Sequence, residues 1–176
     1  MEGHLDESPA QKNVLQEILV NPKKIAEIGF NGGHSSSFFL SSHKDAVVYS
    51  FDIGTHDYVL PSKRKIDELF PNRHTLILGD STTTIPLLNI GSDFDVIFID
   101  GGHDYPTPKH DILNCRRFAN KNTTIIMDDV SESVETSWNI GPLRAWKECI
   151  SEGIVCETKS YEFGDGRGMR IGHYIF

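Results

Sequence analysis

Lys24-Ile-Ala-Glu-Ile-Gly-Phe-Asn-Gly-Gly-His34 is the stretch that decides how this chain is read. An apolar strand pattern runs into a glycine-rich turn, and Ser35, Ser36 and Ser37 then open a helix. Bare backbone in such a turn can approach a ligand closely, and the amide N–H groups at the helix start point toward it. The next apolar run closes on Tyr49-Ser-Phe-Asp52, which puts Asp52 23 positions after Gly29. In a doubly wound sheet an acid roughly 20 residues beyond the turn holds a ribose. The turn therefore reads as a site for a nucleoside-bearing cofactor. Its spacing, Gly29-Phe-Asn-Gly32-Gly33, is not the G-x-G-x-x-G of dinucleotide sites, and a purely structural β–α turn would also need small residues.

Outward from this turn, short apolar runs at 24–30, 47–53, 74–80, 94–100 and 123–129 alternate with helical patterns at about 10–20, 34–42, 62–70, 82–89, 107–120 and 142–152. Val96-Ile-Phe-Ile99 and Thr124-Ile-Ile-Met127 are apolar without alternation, as expected of parallel strands covered on both faces. Beyond Gly153 the pattern changes: 154–162 and 169–176 are extended segments joined by Phe163-Gly-Asp-Gly-Arg-Gly168, a hairpin signal. No repeat or linker interrupts the chain, so 1–176 is read as one domain. It comprises a short helical extension (1–23), βα units (24–130), and a loop, helix and terminal hairpin (131–176).

Composition narrows the function classes. The 176 residues carry 25 acidic and 17 basic side chains, a formal charge of −8, and no basic block longer than Lys63-Arg64-Lys65. The electrostatic footprint of a nucleic-acid binder is missing. Cys115, Cys149 and Cys156 are odd in number and lack C-x-x-C spacing, which argues against a disulfide framework or structural zinc. Met1–Pro9 has no basic-then-apolar leader pattern, and no long apolar run occurs. The expectation is a soluble, cytoplasmic protein with no membrane span.

Ligands of open α/β sheets sit beyond the carboxyl ends of the strands. Those ends carry, in order, Glu27, Asp52, Asp80 in Gly79-Asp80-Ser81, Asp100, and the pair Asp128-Asp129. Asp95, at the other end of its run, is assigned to a turn. Carboxylates gathered on adjacent strand ends repel unless a cation or protons intervene. An oxygen-rich set without cysteine suits Mg²⁺, with Mn²⁺ or Ca²⁺ as alternatives. A histidine close by, with a reference pKa of ~6.5, can take a proton near neutrality.

Several motifs together resemble a known family. Glu27-Ile-Gly29 is similar to the E/D-x-G-x-x-G turn of class I S-adenosyl-L-methionine (SAM) methyltransferases, and βα units followed by a terminal hairpin resemble their sheet. Asp100-Gly-Gly-His103 and Ile126-Met-Asp128-Asp129 resemble the metal-dependent small-molecule O-methyltransferases of the macrolide-sugar and catechol types. The resemblance implies a Rossmann-like, mostly parallel seven-stranded sheet of order 3-2-1-4-5-7-6, with an antiparallel C-terminal hairpin and helices on both faces. It implies SAM bound by Glu27, Gly29, Asn31, Gly33, Ser35, Asp52, Gly79, Asp80, Ser81 and Asp100. It further implies a cation on Asp100, Asp128 and Asp129, catalysis by His103 with Asp100, and a hydroxyl acceptor on a small molecule or sugar. Homo-oligomerisation is compatible with it.

Other readings stay open at this level. His103 can cap a helix instead of acting as base, Asp128-Asp129 can be an N-cap pair, and His34 can simply help start its helix. Asp104 and Tyr105 can line a pocket or lead into the next helix. Trp138, within 131–141, is a candidate substrate lid or a core residue. About 23 residues precede the first strand, enough for one helix over the site. The acid cluster is also compatible with metal-independent N- or O-methylation, or with a non-catalytic partner subunit.

Overall fold

A computed structural model describes residues 8–176; the opening segment 1–7, read above for a leader pattern, lies outside them. Seven strands form one sheet: β1 (Lys24–Ile28), β2 (Val47–Asp52), β3 (His74–Leu78), β4 (Val96–Ile99), β5 (Thr124–Met127), β6 (Val155–Gly164) and β7 (Arg167–Tyr174), in the order β3-β2-β1-β4-β5-β7-β6. Neighbours among β1–β5 pair in parallel, whereas β7 runs antiparallel to both β5 and β6. This is the order the resemblance implies. Among the described residues six α-helices surround the sheet: α1 (Pro9–Ile18), α2 (His34–Ser42), α3 (Val59–Leu69), α4 (Ser81–Thr84), α5 (Thr107–Cys115) and α6 (Ile140–Ser151).

The period-two alternation of strand side chains divides the core into two layers. Ile25, Val48, Phe98 and Ile126 face α1, α2 and α3, where Leu15, Phe39 and Ile66 meet them. Ala26, Phe51, Ile97 and Ile125 face α5 and α6, against Ile112, Ala145 and Trp146. Val96–Ile99 is buried at every position, which is why its sequence shows no alternation. Each large apolar side chain buried this way contributes about 1.5–3 kcal/mol. Among the described residues no helix is long and apolar enough to cross a membrane.

Prolines account for the shifted helix bounds. α3 starts at Val59, three residues before the expected 62, because Pro61 lies in the first turn, where a missing N–H costs nothing. The helix expected at 82–89 is one turn, Ser81–Thr84, followed by a 3₁₀ turn over Ile85–Leu87 in which Pro86 cannot donate the next α-helical bond. The hairpin turn is tighter than 163–168: Gly164 pairs with Arg167, leaving Asp165 and Gly166 as a two-residue loop with φ of 52° and 78°. Two left-handed residues match the twist of the flanking strands.

The glycine-rich turn between β1 and α2 is set by close backbone approach. Gly29 N–H donates to Phe51 O at 2.8 Å and Asp100 N–H to Ile28 O at 2.8 Å, drawing the ends of β1, β2 and β4 together. Gly29 has φ +97°, and a Cβ there would lie 1.8 Å from the Asp100 carbonyl oxygen. Gly153, past the end of α6, has φ +70° but open space around it. Gly29→Ala is therefore expected to cost about 3 kcal/mol or more, from overpacking plus left-handed strain, and Gly153→Ala only about 1 kcal/mol. Urea unfolding of the two variants compares them; equal losses would refute the close-approach argument.

Candidate active site

A cavity of about 690 Å³ opens at the carboxyl ends of β1–β5. That volume suits a ligand of drug or cofactor size. One side is built by the glycine turn, the end of β2 and the end of β3: Gly29, Asn31, Ser35, Asp52, Gly79, Asp80 and Ser81 all line it. Asp52 is oriented by two backbone donors, Asn31 N–H on Oδ2 at 2.8 Å and Gly54 N–H on Oδ1 at 2.7 Å. Asp80 accepts from Thr82 N–H at 2.9 Å and caps α4, and these bonds hold its carboxyl below the usual range. Ser81 donates to Asp111 at 2.6 Å, a carboxyl on α5 that burial raises to about 6.

The other side carries Asp100, His103, Asp128 and Asp129. Asp129 has φ +56°, and this left-handed backbone aims its carboxylate across to His103, whose Nε2–H it accepts at 2.7 Å. Asp100, His103 and Asp129 each offer an atom within 4.8 Å of the others, a spacing at which one ion could be shared. Asp128 stands differently: its Oδ1 accepts Asp129 N–H at 2.9 Å and its Oδ2 accepts the Gln11 amide. Burial and then the charges of Asp128 and Asp129 push the Asp100 carboxyl well above its usual value. Burial and Asp129 raise Asp128 to about 7. The hydrogen bond to Asp129 raises His103. A carboxylate cluster that resists ionisation is what a divalent cation would relieve, so these residues fit one.

Two residues assigned to the cofactor do not reach the cavity. Glu27 is fully buried beneath the turn, its oxygens accepting from Ser35, Ser36 and Ser50 at 2.5 Å each. It lies on the strand face that packs against α2, one pleat away from the open end. Gly33 has φ +75°, caps α2, and is covered by the Phe30 ring, which a Cβ would meet at 2.8 Å. Both shape the turn. Asp95, as expected, serves the opposite end of the sheet, accepting Lys23 and Lys24 N–H at 2.6 and 3.0 Å.

Two lining residues, Gln11 and Arg167, carry no reading from the sequence. Gln11 comes from α1, one helical turn before the buried Leu15; a polar residue in an apolar stripe was the available signal. Arg167, the one lysine or arginine among the lining residues, comes from the start of β7. Trp138 lines the cavity with its ring edge-on to His103, centroids 6.5 Å apart. Asp104 also lines it, whereas Tyr105 turns away to bond Glu148 at 2.6 Å.

Comparison with known proteins agrees with this geometry. A family model described as a methyltransferase domain matches residues 26–130, more than half of the chain. A sequence search of the curated proteins finds no match. Among solved structures, a Staphylococcus aureus protein assigned as a caffeoyl-CoA O-methyltransferase superposes with TM-score 0.77 at 18% identity, covering 97% of this chain and 87% of that one. A Bacillus cereus O-methyltransferase in complex with S-adenosylhomocysteine (SAH) gives 0.73 at 19% identity, covering 94% and 81%. An SAH-bound methyltransferase of Podospora anserina gives 0.72 at 16%, covering 95% and 77%. Fold, strand-end acids and family match converge: the chain belongs to the methyltransferase-domain family and is a class I SAM-dependent methyltransferase.

Proposed function

We propose that this enzyme methylates a hydroxyl group of a small molecule or sugar, with His103 as general base and a divalent cation held by Asp100, Asp129 and Asp128. The observation that carries the reading is the His103–Asp129 pair at 2.7 Å, beside Asp100 and across the cavity from the glycine turn. With Nε2–H donated to Asp129, the other ring nitrogen is the one available to take the acceptor's proton. Asp129 then stabilises the imidazolium that forms, as a carboxylate does in hydrolase triads. The other side of the cavity holds SAM, with Asp52 facing the ribose hydroxyls and Asp80 and Ser81 bordering the adenine. When bound, the cation (Mg²⁺, or Mn²⁺ or Ca²⁺) would lower the pKa of the acceptor hydroxyl, and SAM would present the methyl electrophile. The unpaired Cys115, Cys149 and Cys156 support a reducing, cytoplasmic setting.

A second reading is metal-independent transfer. The His103–Asp129 bond favours it, because a cation sharing Asp129 and His103 would compete with the base for its partner. Calorimetric titration of SAM and SAH with Mg²⁺ and again with EDTA, followed by an acceptor screen under both conditions, separates the two readings. Turnover surviving EDTA selects the second; binding of neither SAM nor SAH would overturn both.

His103→Ala is expected to lower kcat by roughly 10²–10⁴-fold, the usual worth of a general base. Because Asp129 raises the His103 pKa, the wild-type kcat/KM should climb with pH and level off above the ordinary histidine value. Asp129→Asn should move that inflection down and reduce the plateau. A pH–rate profile left unchanged by Asp129→Asn would remove the pair from the mechanism.

The raised carboxyls also predict how stability responds to pH without metal. In the unfolded chain they ionise near pH 4, while in the folded protein Asp128 holds its proton to about 7 and Asp100 beyond the usual range. The folded state thus binds more protons between those limits, so stability falls as pH rises from about 4 to 7. The raised His103 acts in the same direction above its unfolded value. Thermal melts in EDTA should drop by several °C from pH 5 to pH 8, with about 2–4 °C corresponding to each 1 kcal/mol in a domain of this size. Added Mg²⁺ should restore the loss at pH 8; identical melts with and without cation would count against a metal site.

A further inference from the structure

Between β5 and α6 the chain passes through residues 131–139, which carry Trp138 to the rim of the cavity. A segment of this length without regular structure, ending in an aromatic side chain, has the sequence character of a mobile lid. Its hydrogen bonds say otherwise. Glu162, on β6, gathers donors from the start of the segment: Ser131 Oγ at 2.5 Å, Glu132 N–H at 3.1 Å and Ser133 Oγ at 3.0 Å. Arg170, buried in β7, binds the same carboxylate at 2.6 Å. These bonds hold the Glu162 carboxyl down at about 2.

At the far end of the segment, Asn139 is fully buried and makes a second fastening. Its amide donates to Gly166 O and to Val134 O, both at 2.8 Å, and its Oδ1 accepts Thr136 N–H at 2.9 Å. The glycines of the hairpin have their reason here. A Cβ on Gly166 would lie 2.6 Å from Thr136 Cγ2, and one on Gly168 would lie 2.3 Å from Val130 O. The segment therefore lies directly on the hairpin backbone, and Val130 N–H donates to Gly168 O at 2.9 Å to begin the contact. Trp138 immediately precedes Asn139, so its ring is placed by that anchor, edge-on to His103.

We propose that Glu162 and Asn139 are positioning residues that lock the 131–139 segment onto the terminal hairpin, making Trp138 a fixed wall of the acceptor pocket. The assignment of this side to the acceptor rests on the function proposed above; the lock itself does not. A preset wall places an acceptor ring against the indole, with its hydroxyl toward the His103–Asp129 pair, and loses no binding energy to ordering a loop. The hairpin thereby contributes to recognition although only Arg167 of it lines the cavity.

Hydrogen exchange of the peptide spanning 131–139 tests the lock directly. The wild-type peptide is expected to be protected, and Asn139→Ala and Glu162→Gln should each speed its exchange at least about tenfold. Exchange in the glycine turn and the affinity for SAH should stay within twofold. Ser131→Ala removes one donor while leaving the Glu162–Arg170 pair intact, so it serves where the larger changes impair folding. Acrylamide quenching reports the same event, because Trp146, the only other tryptophan, is 1% exposed. Quenching should rise in the three variants. With catechol and methyl glucoside as probe acceptors, the variants should raise KM several-fold while kcat changes little, and Trp138→Tyr should retain most of the affinity that Trp138→Ala loses. A wild-type peptide that exchanges like an open loop, or variants that leave exchange and quenching unchanged, would overturn the proposal. If neither probe is methylated by the wild type, O-methylation of such rings fails, and exchange and quenching still decide the lock.

Discussion

A carboxylate sealed in the core holds this site in place. Glu27 on β1 accepts hydroxyls from Ser35 and Ser36 at the start of α2 and from Ser50 on β2, and Ser50 in turn meets His74 on β3 at 2.8 Å. Three strands and a helix are thus tied through one acid. Removing a buried charge from water costs several kcal/mol unless its lone pairs are satisfied, and the serines supply that satisfaction. Burial still pushes the Glu27 carboxyl above its ordinary value, and the serines pull against it. The same burial drives the His74 ring down to about 4, keeping it neutral beside Ser50. The glycine turn is thereby held from below, through the residues on either side of it.

The cavity above is divided electrostatically. Asp52 and Asp80 are oriented by N–H donors, and Asp80 is held low, so this half is ready to accept hydrogen bonds from a ligand. Burial pushes Asp100 and Asp128 up, reinforced by the charges of Asp128 and Asp129 on Asp100 and of Asp129 on Asp128. The first half gains from neutral hydrogen-bond donors in a ligand; the second gains from positive charge. Both kinds of environment lie side by side in one cavity.

Much of this was legible before the fold. Apolar runs without alternation revealed the parallel strands, and each strand-end acid except Glu27 lies at the cavity because strand ends in a doubly wound sheet face one way. Glu27 differs by a matter of parity: it sits on the last strand position but one, so its side chain points into the α2 layer. Gln11 and Arg167 were missed because they reach the site from α1 and the hairpin, elements distant in sequence whose approach depends on tertiary packing. Trp138 was noticed, but its role was ambiguous, since the bonds that fix it involve Glu162 and Asn139, residues indistinguishable in sequence from ordinary surface side chains.

The placement of β7 has a consequence for how the enzyme comes into being. β7 lies between β5 and β6, so until residue 174 has emerged from the ribosome β5 is an exposed edge with unpaired backbone on one side. β5 is the strand whose end carries Asp128 and Asp129. Gly29, Asn31, Asp52 and Asp80 all precede it in the chain, whereas the carboxylate pair sits on a strand that stays unpaired on one side until the hairpin is made. β5 is thus the last of the parallel strands to gain both of its neighbours.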